Sequence, residues 1–318
     1  MDNMNTLGSE YDLTPEEFNR SLARAEIALF ANCKPGKNPR SFFIVAQPGA
    51  GKTGLKSYIV KTSQDSSSFV EFDSDVVGIY HEHYLKIMRD YPGMSFKILE
   101  RFVRPATDEY LRLKAIKLRA NIMQEGTMSN KDTYISILDF YKNGGLAQIG
   151  EIDENGLRKT VEVQGDYHVE IAALAVDRYE SLLSSYEREQ FYREQSLAAR
   201  VVLPQYHDNS YMKMLETIDE IERRGLADKI SVYKRGYVED NPELLWVSGD
   251  QRFQSTKEAI TYFRSKERRE LMQQPDQYRE RLQSLLNRVT DKDQISRIMK
   301  LAEEFEQEVE RYYIENEK

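Results

Sequence analysis

The chain has 318 residues, enough for one large domain or two smaller ones around a substantial core, and its 40% apolar and 31% charged residues describe a globular protein. A net charge of −8 argues against broad nucleic-acid binding, which leaves a basic footprint, while still allowing a local basic pocket for a phosphorylated substrate. The single cysteine, Cys33, permits no internal disulfide, and no apolar run reaches the length of a membrane span or a signal-peptide core, so a cytoplasmic protein without nucleic-acid or membrane partners is expected.

Residues 1–13 read as a loose start. Thr14-Pro15-Glu16-Glu17 then supplies an N-cap, a proline at the first helical position and a capping-box glutamate, and Phe18, Leu22, Ala25 and Leu29 share one face of a helix running to about residue 31. A turn over 34–39 leads into a first strand, Phe42-Phe43-Ile44-Val45, followed by Ala46-Gln47-Pro48-Gly49-Ala50-Gly51-Lys52-Thr53. A buried strand, a Gly-rich turn ending in Gly-Lys-Thr and a helix-compatible stretch over 54–60 form a cradle for nucleotide phosphates. Gly49 and Gly51 let backbone N–H groups point inward at a helix N-terminus, Lys52 reaches the β- and γ-phosphates, and the Thr53 hydroxyl ligates Mg²⁺. Binding of ATP (or GTP) with Mg²⁺ is the expectation. The pattern usually opens on Gly; here Ala46 stands there, which costs little where its φ is negative.

A second strand is expected at Ser68–Phe72, ending at Asp73-Ser74-Asp75, and a helix over Thr107–Leu118 leads to a third strand, Asn121–Gln124, followed by Glu125-Gly126-Thr127. Ligands of open α/β sheets sit beyond the carboxyl ends of strands, so these acidic ends carry weight. Asp75 suits a base for a substrate hydroxyl or a metal-water ligand, or else a helix cap. Glu125 suits sugar or ribose hydroxyls, with Gly126 admitting a ligand close to the backbone, or else a surface turn. A helix near 133–141 ends at Asn143-Gly144-Gly145, and residues 146–165 read as a hairpin turning at Asp153-Glu154-Asn155-Gly156, inserted near the sugar-binding side. A strand at His168–Val176 and a helix to about Arg193 follow. Asp208-Asn209 is expected to cap a helix ending before Gly225, and strands near Ile230–Tyr233 and Leu244–Val247 complete the β/α alternation of a parallel α/β sheet.

Arg188 and Arg200, in and after the helix that follows the fourth core strand, have the planar donor fork that suits charge on a transferred phosphoryl group, although periodicity alone does not select them over surface arginines. After residue 254 the β signals end. Thr256–Met272 and Asp276–Val289 read as helices, and Ile295, Ile298, Ala302, Phe305, Val309 and Tyr312 form a seam that wants a partner helix, within the chain or in another one. The charged run 264–269 reads as a solvated helix face. The expected division is a P-loop domain over 1–254 and a C-terminal helical extension over 255–318.

The order and spacing of these parts resemble the zeta-toxin family, P-loop kinases of bacterial toxin–antitoxin systems, over about residues 14–250. The likeness runs through Phe18-Asn19-Arg20, Gln47 to Thr53, Phe72-Asp73-Ser74-Asp75 with His81, and Glu125-Gly126-Thr127. It continues through Ala175-Val176, Tyr186-Glu187-Arg188, Ala198-Ala199-Arg200, Pro204 and His207-Asp208. The resemblance implies ATP-dependent phosphorylation of UDP-N-acetylglucosamine at its sugar 3′-hydroxyl, poisoning cell-wall precursor supply. It implies Asp75 as base, Lys52 and the loop on the phosphates, Thr53 on Mg²⁺, Arg188 and Arg200 clamping the γ-phosphate, and Glu125 and Thr127 positioning the sugar nucleotide. It also implies a small antitoxin partner that covers the nucleotide site. Three departures, Met128-Ser129-Asn130 where an arginine is usual, Glu82-His83 after His81 and the 146–165 hairpin, keep other acceptors open: a nucleoside, an antibiotic hydroxyl or a dinucleotide. A non-catalytic nucleotide-binding module is the third reading.

Overall fold

A computed structural model of the chain describes residues 7–62, 69–152, 158–197, 199–236 and 240–316. Strand β1 (Arg40–Val45) lies at its centre because successive side chains are apolar on both faces. Phe43 and Val45 point into the larger core, and Phe42 and Ile44 into a smaller one with Leu55, Ile59, Met123 and Leu174. The sheet runs β2-β3-β1-β6-β7-β8, with β2 (Phe69–Phe72), β3 (Asn121–Gly126), β6 (His168–Leu174), β7 (Lys229–Lys234) and β8 (Glu243–Val247). β2, β3, β1, β6 and β7 are parallel. β8 pairs antiparallel with β7, unlike the all-parallel order expected, because the connection over 235–242 is too short for a crossover helix. The chain leaves β1 toward one side of the sheet and later returns to its other side, so the crevice of a doubly wound sheet opens at the carboxyl end of β1.

Helix α1 (Pro15–Phe30) starts with the expected box: the Thr14 hydroxyl accepts from Glu17 N–H at 3.3 Å and Thr14 N–H donates to the Glu17 carboxylate at 2.9 Å. Ser9–Tyr11 forms one 3₁₀ turn within the expected loose start; residues 1–6 lie outside the described residues, as does Ser68 of the expected second strand. Helix α2 (Lys52–Thr62) follows β1. After β2 come α3 (Ser74–Gly78), α4 (Tyr84–Asp90), α5 (Ser95–Pro105), a π-helical stretch (Ala106–Leu111) and α6 (Arg112–Lys117). The sequence reading begins this helical run only at Thr107. Pro92-Gly93 and Pro105 interrupt the local signal, yet Ile98, Leu99, Phe102 and Val103 bury one face of α5 in the core.

Helix α7 (Lys131–Asn143) carries the chain from the carboxyl end of β3 back to the opposite edge of the sheet. There the hairpin β4 (Gly145–Ile152) and β5 (Arg158–Val163) begins and ends, with Gly145 paired to Val163 and Tyr167 N–H donating to Tyr141 O at 3.1 Å. Its base therefore lies away from Glu125 and Thr127 rather than beside them; the expected turn at 153–156 lies outside the described residues.

Helix α8 (Arg178–Glu194) is capped by Asp177, and α9 (Pro204–Arg223) starts at Pro204, not at the expected Asp208-Asn209. Proline at the first helical position fixes the start, and Asp208 instead pairs with Arg178 at 2.8 Å. Beyond residue 254, α10 (Thr256–Gln273) places Ala259 and Ile260 in the main core. Helices α11 (Asp276–Leu286) and α12 (Lys292–Asn316) pack on α8, so the Ile298–Phe305–Val309 seam finds its partners within the chain in Tyr179, Leu182, Leu183, Tyr186 and Tyr278. The main strands, the hairpin strands and the alternation with helices as far as β7 follow the sequence reading.

Candidate active site

Residues 46–51 join β1 to α2 at the crevice. Ala46 is buried, its N–H donates to Gly126 O at 3.3 Å, and it is absent from the positive-φ residues, so a methyl group there costs nothing. Gly49 and Gly51 have φ of 76° and 93°. A Cβ on Gly49 would lie 1.9 Å from Ser181 O, so both conformation and packing against α8 demand glycine. The first N–H groups of α2 then face the crevice, the arrangement that holds anions.

Lys52 Nζ donates to the carbonyls of Ala46 at 3.0 Å and Gln47 at 3.2 Å. Burial pushes its ammonium down to about 8, Arg188 and Arg200 push the same way, and Glu125 and Asp73 oppose them. Both arginines are thus within electrostatic reach of Lys52. Arg188 is exposed on α8 and makes no ion pair among the described residues; Thr53 is exposed in the first turn of α2.

Asp75 sits in the first turn of α3 and receives Arg200 Nη1 on both carboxylate oxygens, at 2.7 and 2.9 Å. Asp73, not Asp75, caps α3: its Oδ1 accepts from Asp75 N–H at 2.9 Å. Burial first, and the Asp75 carboxylate next, push Asp73 up to about 6.

Glu125, at the end of β3, meets Lys56 Nζ at 2.8 Å, and the same ammonium reaches Glu71 at 3.0 Å. The Thr127 and Ser129 hydroxyls share a hydrogen bond of 2.9 Å, Met128 adopts a left-handed φ of 49°, and Asn130 caps α7. Packing by itself demands glycine at 126, because a Cβ there would stand 2.1 Å from the Tyr134 hydroxyl. The structure therefore gathers Lys52, Asp75, Arg188, Arg200 and Glu125 at one end of the sheet. Among the described residues, no hydrogen bond joins Thr127 to that group.

The sequence profile of the zeta toxin family matches residues 25–149 and 153–246. The chain belongs to the zeta toxin family. Toxin PezT of Streptococcus pneumoniae serotype 4 is 26% identical over 225 residues, covering 70% of this chain and 79% of that protein. Toxin zeta of Streptococcus agalactiae is 24% identical over 228 residues, 70% of each. A solved structure from the PezAT chromosomal toxin–antitoxin system of Streptococcus pneumoniae matches with a TM-score of 0.64 at 22% identity, covering 87% of this chain and 99% of that one, and so shares the fold.

Three groups of this zeta toxin family member escape a sequence reading. Asp73 is hidden beside the more conspicuous Asp75. Arg235, just after β7, donates to Gly49 O at 3.2 Å and Ser184 Oγ at 2.9 Å and meets Glu180 at 3.3 Å, bracing the loop from the far strand. The run 264–269 is solvated only in part: Ser265, Lys266 and Arg269 are exposed, but Arg264 is 2% exposed and Arg268 pairs with Asp177 and Glu308 at 2.5 and 2.6 Å. No local pattern marks either arginine, because their partners come from distant segments.

Proposed function

We propose that the chain is an ATP-dependent phosphotransferase of zeta-toxin type whose acceptor is the sugar 3′-hydroxyl of UDP-N-acetylglucosamine. The observation that carries the reading is the convergence on the phosphate loop: Lys52 with two arginines in electrostatic reach, one of which holds the carboxylate at the end of β2. Family membership supports a kinase-like toxin.

The loop amides and Lys52 would bind the β- and γ-phosphates of ATP, and Arg188 and Arg200 would hold the transferred oxygens as they gain charge. Asp75 would take the proton from the acceptor hydroxyl as its oxygen bonds to the γ-phosphorus. The bond from that phosphorus to the β–γ bridging oxygen breaks, and ADP leaves with the electron pair. Arg200 must then exchange Asp75 for phosphate, which frees the carboxylate for the acceptor. Thr53 and Asp73 offer the hydroxyl and carboxylate oxygens that Mg²⁺ takes, as an ion that keeps waters and substrate phosphates for the rest of its shell. When bound, Mg²⁺ neutralises charge on the β- and γ-phosphates. Glu125 would position the sugar nucleotide, with Thr127 next along the chain.

A protein antitoxin would block the site, as the toxin–antitoxin origin of the PezAT structure suggests. A different hydroxyl acceptor is the second reading, favoured by Thr127, Ser129 and Asn130 being engaged with one another and with α7 where the family places an arginine. Incubation with ATP, Mg²⁺ and a panel of sugar nucleotides, nucleosides, aminoglycosides and dinucleotides tests the choice. A product of UDP-N-acetylglucosamine heavier by one phosphate supports the first reading; transfer to another member only supports the second.

A further inference from the structure

Arg264 lies on α10, beyond the segment that matches the family. Its guanidinium is buried, stacks 3.9 Å from the centre of the Tyr211 ring and donates to Tyr211 O at 2.8 Å. Its Nη2 donates at 2.9 Å to Gln47 Oε1, in the phosphate loop. Among the described residues no carboxylate pairs with it: Asp177, the nearby candidate, is taken by Arg268, and Glu267 accepts from Asp177 N–H. Asp177 and Glu267 act on the guanidinium only at a distance, so its hydrogen bonds to Tyr211 O and Gln47 Oε1 carry most of what offsets its burial.

Gln47 is fully buried and satisfied on every side. Its Nε2 donates to Val176 O at 2.9 Å and Ser181 Oγ at 3.0 Å, so the side chain ties the loop to the end of β6 and to α8, and Arg264 fills its remaining acceptor. Ser181 is in turn held by His207 at 2.9 Å. The loop residue that begins the phosphate cradle is thereby fixed by a helix beyond the segment that the family profile matches.

We infer that Arg264 is a positioning residue for nucleotide binding, acting through Gln47 to hold the phosphate loop in its anion-binding shape. The helical extension is then part of the donor site. This rests on the reading of residues 46–53 as a phosphate site.

Equilibrium titration of the full-length protein with Mg-ATP and, separately, with adenosine tests it. Arg264→Met, which keeps the aliphatic stem, is expected to weaken ATP binding about tenfold or more, the scale of one lost hydrogen bond to a charged group, and to leave adenosine binding unchanged. Arg264→Lys keeps the charge and one donor and recovers part of the loss; it also serves if the methionine variant does not fold. Val309→Ala, in the α12 seam, lowers the melting temperature without touching the loop and should bind ATP as the wild type does. ATP binding by Arg264→Met and Arg264→Lys equal to wild type, or an equal loss in Val309→Ala, overturns the inference. A wild type that binds no ATP overturns the phosphate-site reading and this inference together.

Discussion

Arg200 Nη1 holds both carboxylate oxygens of Asp75, at 2.7 and 2.9 Å, across 125 positions of chain. The side chains are 40% and 61% exposed, so the pair contributes only about 0–1 kcal/mol and opens readily. A proposed base and a proposed phosphate clamp that hold each other can exchange partners when both substrates enter.

Replacing Asp75 by Asn should lower phosphoryl transfer by about two to four orders of magnitude while ATP affinity stays at its wild-type value, because the base acts on the acceptor. Arg200→Ala should lower kcat by about three orders of magnitude. Single-turnover assays beside direct ATP titrations separate the two effects. Transfer by Asp75→Asn at the wild-type rate removes it from the base role.

Nucleotide binding should take up a proton in mild alkali. Lys52 sits at about 8 in the free protein, and phosphate anions beside it raise that value, so the ammonium is charged in both states near pH 6 and gains its proton on binding near pH 9. Affinity should fall as pH rises through 8. Calorimetry in two buffers of different ionisation heat measures the uptake, and Lys52→Met should abolish both the uptake and most of the binding. Pure pH-independence of the wild type argues against Lys52 as a phosphate ligand.

Asp73 should cost stability at neutral pH. Its folded value of about 6 exceeds the 3.8 of a free aspartate, so stability is full below about pH 4 and is lost as pH rises through 6. Asp73→Asn keeps an oxygen to cap α3 and removes the charge, so it should gain roughly 1–3 kcal/mol at pH 7 and nothing near pH 3.5. Urea melts at the two pH values check the sign. The same variant should need more Mg²⁺ for half-maximal turnover.

Deleting residues 255–318 should yield an aggregated or non-cooperative chain. The cut strips partners from Tyr179, Leu182, Leu183 and Tyr186 on α8 and opens the main core at Ala259 and Ile260. Phe305→Ala, milder, should destabilise the whole protein by about 3–5 kcal/mol. A soluble truncated chain with a sharp melt and wild-type ATP affinity would show that these helices are dispensable.

The parts of this molecule that a sequence reveals are those whose cause is local. Phe42 to Val45 followed by glycines at 49 and 51 announces a strand and a phosphate loop, because φ and burial there depend on adjacent residues. Arg188 and Arg200 needed the family spacing, since an arginine on a charged helix carries no sign of which way it faces. Arg264 reads as solvated from its charged neighbours alone: its partner Gln47 is 217 positions away, and only the packing of α10 against α9 and β7 brings them together. The packing role of Gly126 has no local sign either, because its neighbour Tyr134 comes from the next helix.

The most direct test of the central claim is the mass of the acceptor after incubation of wild type and Asp75→Asn with ATP, Mg²⁺ and UDP-N-acetylglucosamine. The account predicts a sugar nucleotide carrying one added phosphate, with an equal amount of ADP, for the wild type and none for the variant. An unchanged sugar nucleotide under wild-type protein that binds ATP would contradict the assigned acceptor, and ADP formation with no acceptor phosphorylated across the whole panel would contradict phosphotransfer itself.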